Sequence, residues 1–367
     1  MYRMMFTAVW AIVSASMSSA QSIVRTINGA PGDFFGTALV ALPDMDGDGK
    51  RDLAIGAPQW SPAILTQFSF SSSGAGRAEI RSSASGAVLV AFNGVAPGSQ
   101  FGYSIAAMPD LDADGFPEIA VGAPSECLLL PCAGQGRVRI CSPLAGVLGA
   151  PLSGPQGAGR FGNDLATIQD ANLDGVDDLV VGAPFSGSSE LLCRVEAYSG
   201  ASRNLLYLDT YLPFGFPFTI TPNYGYVVAS MGDINGDGRG DYAVGNYGSY
   251  HVALRSGVNG SSIIDIWWPS GFLPPLGFGT AISGGVDLNN DGVNDVLVGN
   301  HNYTIIPGMG WFNVTVRPRH PSGPLRRRDP SIVYVGCRVS FARAAQAQGV
   351  SIEKSALGET CSSTSAR

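Results

Sequence analysis

The sequence predicts an all-β chain folded as a β-propeller of four-stranded antiparallel blades. Two observations indicate this class. An acidic nonapeptide recurs five times, and a short apolar run ending in glycine follows every copy. The first residues of successive copies stand 66, 60, 63 and 54 residues apart. Because a unit that recurs at such a period is typical of repeat architectures, we expect five equivalent blades.

The first nonapeptide, residues 44–52, carries oxygen-bearing side chains at positions one, three, five and nine. Ca²⁺ takes about six to eight oxygen ligands, and side chains at this alternate spacing can converge on one ion, with a main-chain carbonyl from position seven. Gly47 and Gly49 allow the sharp turn that this convergence needs. We therefore expect up to five structural Ca²⁺ ions. The predicted ligands are Asp44, Asp46, Asp48, Lys50 and Asp52; Asp110, Asp112, Asp114, Phe116 and Glu118; Asp170, Asn172, Asp174, Val176 and Asp178; Asp233, Asn235, Asp237, Arg239 and Asp241; and Asp287, Asn289, Asp291, Val293 and Asp295.

Charge distinguishes the five loops from one another. The first two carry four carboxylates each, whereas the other three have an asparagine at position three, so the first two are predicted to bind Ca²⁺ most tightly. An EF-hand is excluded because position twelve of the first loop is Ile55 and predicted strands flank the loop. An acidic turn without a metal is the alternative, in which the clustered like charges would repel one another.

The flanking segments supply the strands. An aromatic-glycine pair precedes each loop by nine residues, at 35–36, 101–102, 161–162, 224–225 and 278–279. The predicted second strands follow the loops at 53–56, 119–122, 179–182, 242–245 and 296–299. The third and fourth strands are predicted at 76–81 and 88–92, 136–141 and 147–152, 192–198 and 205–211, 250–255 and 263–268, and 303–306 and 311–316. Four short strands in each repeat of about 60 residues match the arithmetic of a propeller blade.

Taken together, the order Phe-Gly, Asp-x-Asp-Gly-Asp-Gly-x-x-Asp and Gly-Ala-Pro resembles the FG-GAP repeat of the integrin α-chain propeller, over roughly residues 23–317. The resemblance implies that the calcium loop joins the first and second strands of a blade, and that ligands bind the face opposite the loops. The sequence departs from that pattern in two ways: it has five copies where integrin propellers have seven, and only the first three copies keep Ala-Pro after the glycine.

The two ends of the chain bear on ring closure. Asn28-Gly29 follows residues 22–27, just as Asn93-Gly94 follows the predicted fourth strand that ends at Phe92. The segment 22–27 therefore resembles the fourth strand of a blade and lacks the first three strands of that blade. Either it latches a five-bladed ring, or it joins residues 331–341 in a composite sixth blade; both alternatives stay open. The propeller is assigned to 21–317, and the basic tail, 318–367, is expected to be linker-like or to close the propeller in part.

The amino-terminus predicts export. Residues 1–20 combine Arg3, an apolar run over 4–13 and a small-residue cleavage site before Gln21, as in a signal peptide; an uncleaved anchor is the alternative. We therefore expect a secreted, extracellular or cell-surface protein. In an oxidising compartment the six cysteines favour disulfides, and Cys127–Cys132 and Cys337–Cys361 are the suggested pairs.

Composition narrows the function. Only 14% of the residues are charged, which excludes a disordered acidic chain. The formal net charge is −7, but 17 of the 29 acidic residues stand at predicted ligand positions, and five Ca²⁺ ions would bring the charge to +3. The acidity therefore indicates cation sites more than a basic partner. Neither nucleic-acid binding nor a membrane span is predicted.

Catalytic motifs are missing from the sequence: there is no Gly-x-Ser-x-Gly, no His-Glu-x-x-His and no phosphate loop. We therefore expect a binding or adhesion module for an extracellular protein or glycan, not an enzyme; the propeller of a secreted hydrolase and a structural matrix protein are the alternatives. Its ligand is expected on the face that carries the long connections at 59–74, 125–134, 155–160, 212–223 and 269–276. The tripeptide Arg239-Gly240-Asp241 spells an adhesive motif, but Asp241 is already a predicted metal ligand.

Overall fold

A computed structural model describes residues 25–61, 74–127, 134–154, 158–186, 193–211, 223–246, 251–267, 277–287, 292 and 294–300, and the backbone of 312–316, 333–337 and 363–365. Every regular element among these residues is a β-strand, so the predicted all-β class is confirmed. Within the same residues, no helix is long and apolar enough to cross a membrane.

Blades one, three and four are complete four-stranded antiparallel sheets whose strands pair in chain order. Blade one contains β1 (Leu39–Ala41), β2 (Leu53–Ala57), β3 (Arg77–Arg81) and β4 (Val88–Asn93). Blade three contains β11 (Asp164–Ile168), β12 (Asp178–Ala183), β14 (Cys193–Tyr198) and β15 (Leu205–Tyr211). Blade four contains β16 (Tyr224–Gly232), β17 (Asp241–Asn246), β18 (His251–Arg255) and β19 (Ser262–Trp267). These are the strands that the repeat pattern predicts, and they form the blades of a β-propeller.

Blade two differs at its outer edge. Its first three strands are β5 (Ser104–Ala107), β6 (Ile119–Ala123) and β7 (Arg137–Ser142). The prediction of a single fourth strand over 147–152 is wrong. Two short strands, β8 (Gly146–Val147) and β9 (Leu152–Ser153), pair with β7 in its place. Between them lie Gly149, with a φ of 59°, and Pro151, which has no N–H to donate, so the chain leaves the ladder there.

The remaining strands lie between and after these blades. The short strands β10 (Ala158–Gly159) and β13 (Phe185–Ser186) pair with each other beside blade three. Blade five shows β20 (Phe278–Val286) paired with β21 (Asp295–Asn300), while its predicted strand at 303–306 lies outside the described residues. After it, β22 (Phe312–Val316), β23 (Val333–Cys337) and β24 (Ser363–Ser365) form a three-stranded antiparallel sheet. At the amino-terminus, the described part of the 22–27 segment, residues 25–27, is not in a strand.

The core lies between successive blades. Each of the four hydrophobic clusters draws side chains from two neighbouring blades, such as Leu42 and Ile80 of blade one with Phe101 and Ile119 of blade two. Strands β6 and β12 are therefore buried on both faces, as their continuous apolar sequences require. In blades two to five, the aromatic residue of the Phe-Gly or Tyr-Gly pair packs in the cluster that its blade shares with the preceding one. Phe101, Phe161, Tyr224 and Phe278 are at most 3% exposed.

Cysteine pairing departs from expectation in part. Cys141 on β7 and Cys193 on β14 are buried and are not disulfide-bonded, so the expectation of disulfides is wrong for these two residues. Burial raises the pKa of the Cys141 thiol to about 12 and that of Cys193 to about 11, so both stay protonated and inert. Cys127 is disulfide-bonded, and the suggested partner, Cys132, lies outside the described residues.

Candidate metal centres

The first carboxylate organises every one of the five loops in the same way. Its Oδ2 atom accepts a hydrogen bond from the backbone N–H of the glycine at position six. The five pairs are Asp44–Gly49 at 2.6 Å, Asp110–Gly115 at 2.9 Å, Asp170–Gly175 at 2.9 Å, Asp233–Gly238 at 2.8 Å and Asp287–Gly292 at 2.7 Å. This bond, the largest of several causes, holds the pKa of Asp44 below its usual value. All five loops therefore share this contact between the first carboxylate and the glycine at position six, as equivalent repeats should.

The next two acidic positions continue the turn. The side chain at position three accepts the N–H of position five, and the side chain at position five accepts the N–H of position seven, as in Asp46–Asp48 at 3.2 Å and Asp48–Lys50 at 2.8 Å. Loops two, three and four repeat both bonds. These local turns aim the alternate side chains at one point.

That convergence is closest in the first two loops. Carboxylate oxygens of Asp110, Asp112, Asp114 and Glu118 all lie within 4.8 Å of one another, and so do those of Asp44, Asp46 and Asp48. In loop three, the amide of Asn172 instead donates to Asp174 at 2.8 Å, and in loop four Asn235 donates to Asp237 at 2.9 Å. Of the predicted loop-five ligands, Asn289, Asp291 and Val293 lie outside the described residues.

The ninth-position carboxylate is buried and connects two parts of the blade. Asp52 is fully buried; its Oδ2 atom accepts the N–H of Met45 at 2.8 Å, and its Oδ1 atom accepts the N–H of Ser83 at 3.0 Å. Asp178 and Asp241 bond in the same way to their loops and to Gly200 and Gly257. Burial raises the pKa of Asp241 to about 6. This residue therefore ties the metal loop to the turn between the third and fourth strands.

Loop two departs from that arrangement. Glu118 accepts the N–H of Leu111 through Oε2 at 2.5 Å, but the residue equivalent to Ser83 is Pro143, which has no N–H. Its Oε1 atom is therefore buried without a hydrogen-bond partner. Burial, with the nearby aspartates, raises the pKa of Glu118 to about 7. A buried, unpartnered carboxylate oxygen beside three converging aspartates is a donor set that fits a hard divalent cation.

Sequence reasoning missed a serine at the end of the third strand in blades one to four: Ser82, Ser142, Ser199 and Ser256. All four are buried, and the hydroxyls of Ser142 and Ser199 donate to the fifth-position carboxylates Asp114 and Asp174 at 3.1 and 2.9 Å. A serine recurring at the blade period is the signal that could have found them. They support the loops from the neighbouring turn.

Comparison with known proteins agrees with this geometry. The FG-GAP repeat family matches residues 35–78, 101–140, 161–202 and 278–310. Human integrin alpha-IIb is 31% identical over 259 residues, which is 67% of this chain and 23% of that protein. Chicken (Gallus gallus) integrin alpha-V is 27% identical over 238 residues, 62% of this chain and 22% of that protein. The chain thus spans less than a quarter of the length of these relatives.

Among solved structures, a rhamnogalacturonan lyase of Bacillus licheniformis is similar with a TM-score of 0.41 and 15% identity, covering 76% of this chain and 50% of the lyase. A likeness at this level says nothing about activity.

Proposed function

Because this chain is an FG-GAP repeat protein that resembles the amino-terminal region of integrin α chains, we propose that it is a secreted, calcium-stabilised β-propeller that binds an extracellular protein or glycan. Calcium serves the scaffold, and the ligand occupies the face opposite the calcium loops. No catalytic step is assigned to the chain.

The metal loops support a structural role for calcium. Positions one, three, five, seven and nine of each loop would hold the ion, and in loops one, three and four the ninth carboxylate already joins the loop to the turn after the third strand. When bound, Ca²⁺ supplies positive charge that neutralises the converging carboxylates and fixes the turn between the first two strands of each blade. Asp241, the acid of the Arg-Gly-Asp tripeptide, is fully buried and accepts backbone N–H groups of Ile234, Asn235 and Gly257, so a partner does not reach it.

The opposite face has a rigid base. In blades one and two, the turn before the first strand bonds to the start of the long second-to-third connection of the same blade: Gln59 N–H donates to the Asp33 carbonyl at 3.1 Å, and Ser125 N–H donates to that of Ser99 at 3.2 Å. Gln100 and Ser125 also share a side-chain hydrogen bond of 2.7 Å. Long loops on such a base suit ligand binding. Most of their residues lie outside the described part of the chain.

Three turn residues carry this proposal. Phe34, Gln100 and Arg160 each precede the aromatic residue of a Phe-Gly pair, and each adopts the left-handed conformation, with φ of 56°, 59° and 67°. A non-glycine residue there costs about 1 kcal/mol, and residues held in such conformations cluster at binding sites. Blade five has Gly277 at the same position, so the turn itself does not require a side chain. Phe34 is 67% exposed, as an aromatic contact residue should be.

The test replaces these side chains without harming the fold. A glycan and matrix-protein array first identifies a ligand. Phe34→Gly should then keep or raise the melting temperature, because glycine suits a positive φ and the Phe34 side chain is exposed, while ligand affinity falls at least about tenfold. Gln100→Gly and Arg160→Gly relieve the same strain but lose side-chain hydrogen bonds to Ser125 and Asn163, so their melting temperatures should stay near that of the parent protein while affinity falls as much. Leu173→Gly is the matched control, since Leu173 has a φ of 62° but lies on a calcium loop. It should stabilise without changing affinity.

Two outcomes would overturn this assignment. One is ligand affinity that falls equally in the Leu173→Gly protein. The other is turnover in a panel of glycosidase, lyase and esterase assays that any of the three turn substitutions abolishes, because that would make the same face an active site.

A further inference from the structure

Neighbouring blades are bridged on the calcium-loop face by polar side chains. At the junction of blades two and three, Arg203 donates from Nη1 to the Leu148 carbonyl at 2.6 Å. At the next junction, Arg239 donates from Nη1 to the Ala171 carbonyl at 2.8 Å. At the junction of blades four and five, Asn294 donates to the Met231 carbonyl at 2.9 Å. Each bridge comes from the later blade and ends on a backbone carbonyl of the earlier one.

The junction of blades one and two has a cavity on this face instead. Its volume is about 150 Å³, and it is lined by Met45, Ile80, Leu89, Val90, Phe116, Pro143 and Leu144. Phe116 holds the loop position that Arg239 holds in blade four, and Met45 holds the position of Ala171. Among the described residues, no side-chain hydrogen bond of the kind made by the two arginines spans this junction on this face.

We propose that this cavity receives an arginine side chain from a partner protein, at a site separate from the ligand face proposed above. The walls are apolar, which suits the aliphatic stem of arginine, and Phe116 offers a ring on which a guanidinium can stack. Leu144 at the mouth is 69% exposed, so the entrance is accessible.

Charge favours a cation over a neutral group. Asp114 accepts hydrogen bonds from the Phe116 N–H at 2.8 Å and the Ser142 hydroxyl at 3.1 Å, which places it against two segments of the cavity wall. Loop two has four carboxylates and no basic residue between 109 and 118, so one bound Ca²⁺ leaves it negative. The two crossing arginines show that this kind of junction accommodates a guanidinium.

The probe is N-acetyl-arginine-methylamide, titrated into the full chain in calcium-containing buffer and followed by saturation-transfer NMR. It should bind at least about tenfold more tightly than the neutral isostere N-acetyl-citrulline-methylamide. Equal binding of the two, tighter binding of N-acetyl-leucine-methylamide, or no detectable binding of the arginine probe would overturn the assignment.

Variants place the probe in the cavity. Phe116→Arg supplies an internal arginine that can reach the Met45 carbonyl, and should abolish probe binding. Val176 holds the same loop position in blade three, at the junction of blades two and three that Arg203 already crosses. Val176→Arg should therefore leave probe binding unchanged. If Phe116→Arg does not fold, Leu144→Asn at the exposed mouth should weaken the probe about threefold. Full binding in that variant would contradict the site. Phe34→Gly should leave probe binding intact, which separates this site from the ligand face.

Discussion

The Cα of Gly56, at the end of the second strand of blade one, faces the carbonyl oxygen of Gly102 in blade two. A Cβ at Gly56 would lie 1.9 Å from that oxygen. The same contact joins Gly122 to Gly162, Gly182 to Gly225 and Gly245 to Gly279, at 2.1 to 2.2 Å. The glycine after each of the first four calcium loops and the glycine of the next aromatic pair are therefore two halves of one blade-to-blade contact.

Gly56→Ala should destabilise the protein by about 2–3 kcal/mol, because the new methyl group meets backbone and the blades must separate to admit it. Gly299→Ala is the matched control. It changes the equivalent glycine of blade five, where the nearest atom is the Ala281 Cβ at 3.1 Å and no carbonyl of another blade is near among the described residues. Thermal unfolding of both variants measures the difference, and equal losses would show that the interblade contact is not the cause.

Calcium removal should lower the melting temperature, since an ion that binds only the folded state stabilises it. Glu118→Gln should weaken calcium binding at loop two by at least about tenfold. The substitution removes the negative charge of a carboxylate whose Oε1 atom has no hydrogen-bond partner in the protein. The melting temperature of the variant in EGTA should change little. Isothermal calorimetry and thermal unfolding in EGTA check the two parts.

Asp178→Asn provides the contrast to Glu118→Gln. Asp178 accepts hydrogen bonds from the N–H groups of Ala171, Asn172 and Gly200 through both of its carboxylate oxygens. Asparagine has only one acceptor oxygen, so at least one of these N–H groups would lose its partner. The variant should lose about 1–3 kcal/mol even in EGTA. A variant that is as stable as the parent protein without calcium would mean that the bridge between loop and turn contributes nothing.

Acid should destabilise the protein through His251. Its imidazole is buried, stacks on Trp267 with ring centroids 4.2 Å apart, and bonds through Nε2 to Asp265 at 2.9 Å. Burial lowers the pKa of His251, and Asp265 offsets this only in part. Below about pH 6.5 the imidazole takes up a proton readily in the unfolded chain but not in the folded chain. The stability that the neutral, buried His251 contributes is therefore complete above that pH and is lost as the pH falls below it. His251→Gln should reduce the drop in melting temperature between about pH 7.5 and 5.5. An unchanged drop would mean that other titratable groups cause the acid sensitivity.

Much of the fold and of the candidate site followed from local pattern. The strands of blades one, three and four, and the first-position aspartates, depend on residues a few positions apart, such as Asp44 and Gly49. The bridge from Asp52 to Ser83 spans 31 positions, and no local pattern reports it. The outer strand of blade two differs from the single predicted strand because Gly149 and Pro151 interrupt its pairing with the third strand inside an otherwise apolar run. Cys141 and Cys193 are buried in separate blades and are not disulfide-bonded, and a count of cysteines does not show that separation.

Arg203 combines a local cost with a long-range gain. It has a φ of 61° at the turn position where blades one, two and four have Gly86, Gly146 and Gly260, and its guanidinium crosses to the Leu148 carbonyl. Arg203→Ala keeps the strained backbone and loses the hydrogen bond, so it should cost about 1–2 kcal/mol. Arg203→Gly loses the same bond but relieves the strain, and should cost about 1 kcal/mol less than Arg203→Ala. Thermal unfolding of the pair separates the two contributions. If the two variants were equally stable, the left-handed turn would not be strained, and the crossing bond alone would explain the arginine.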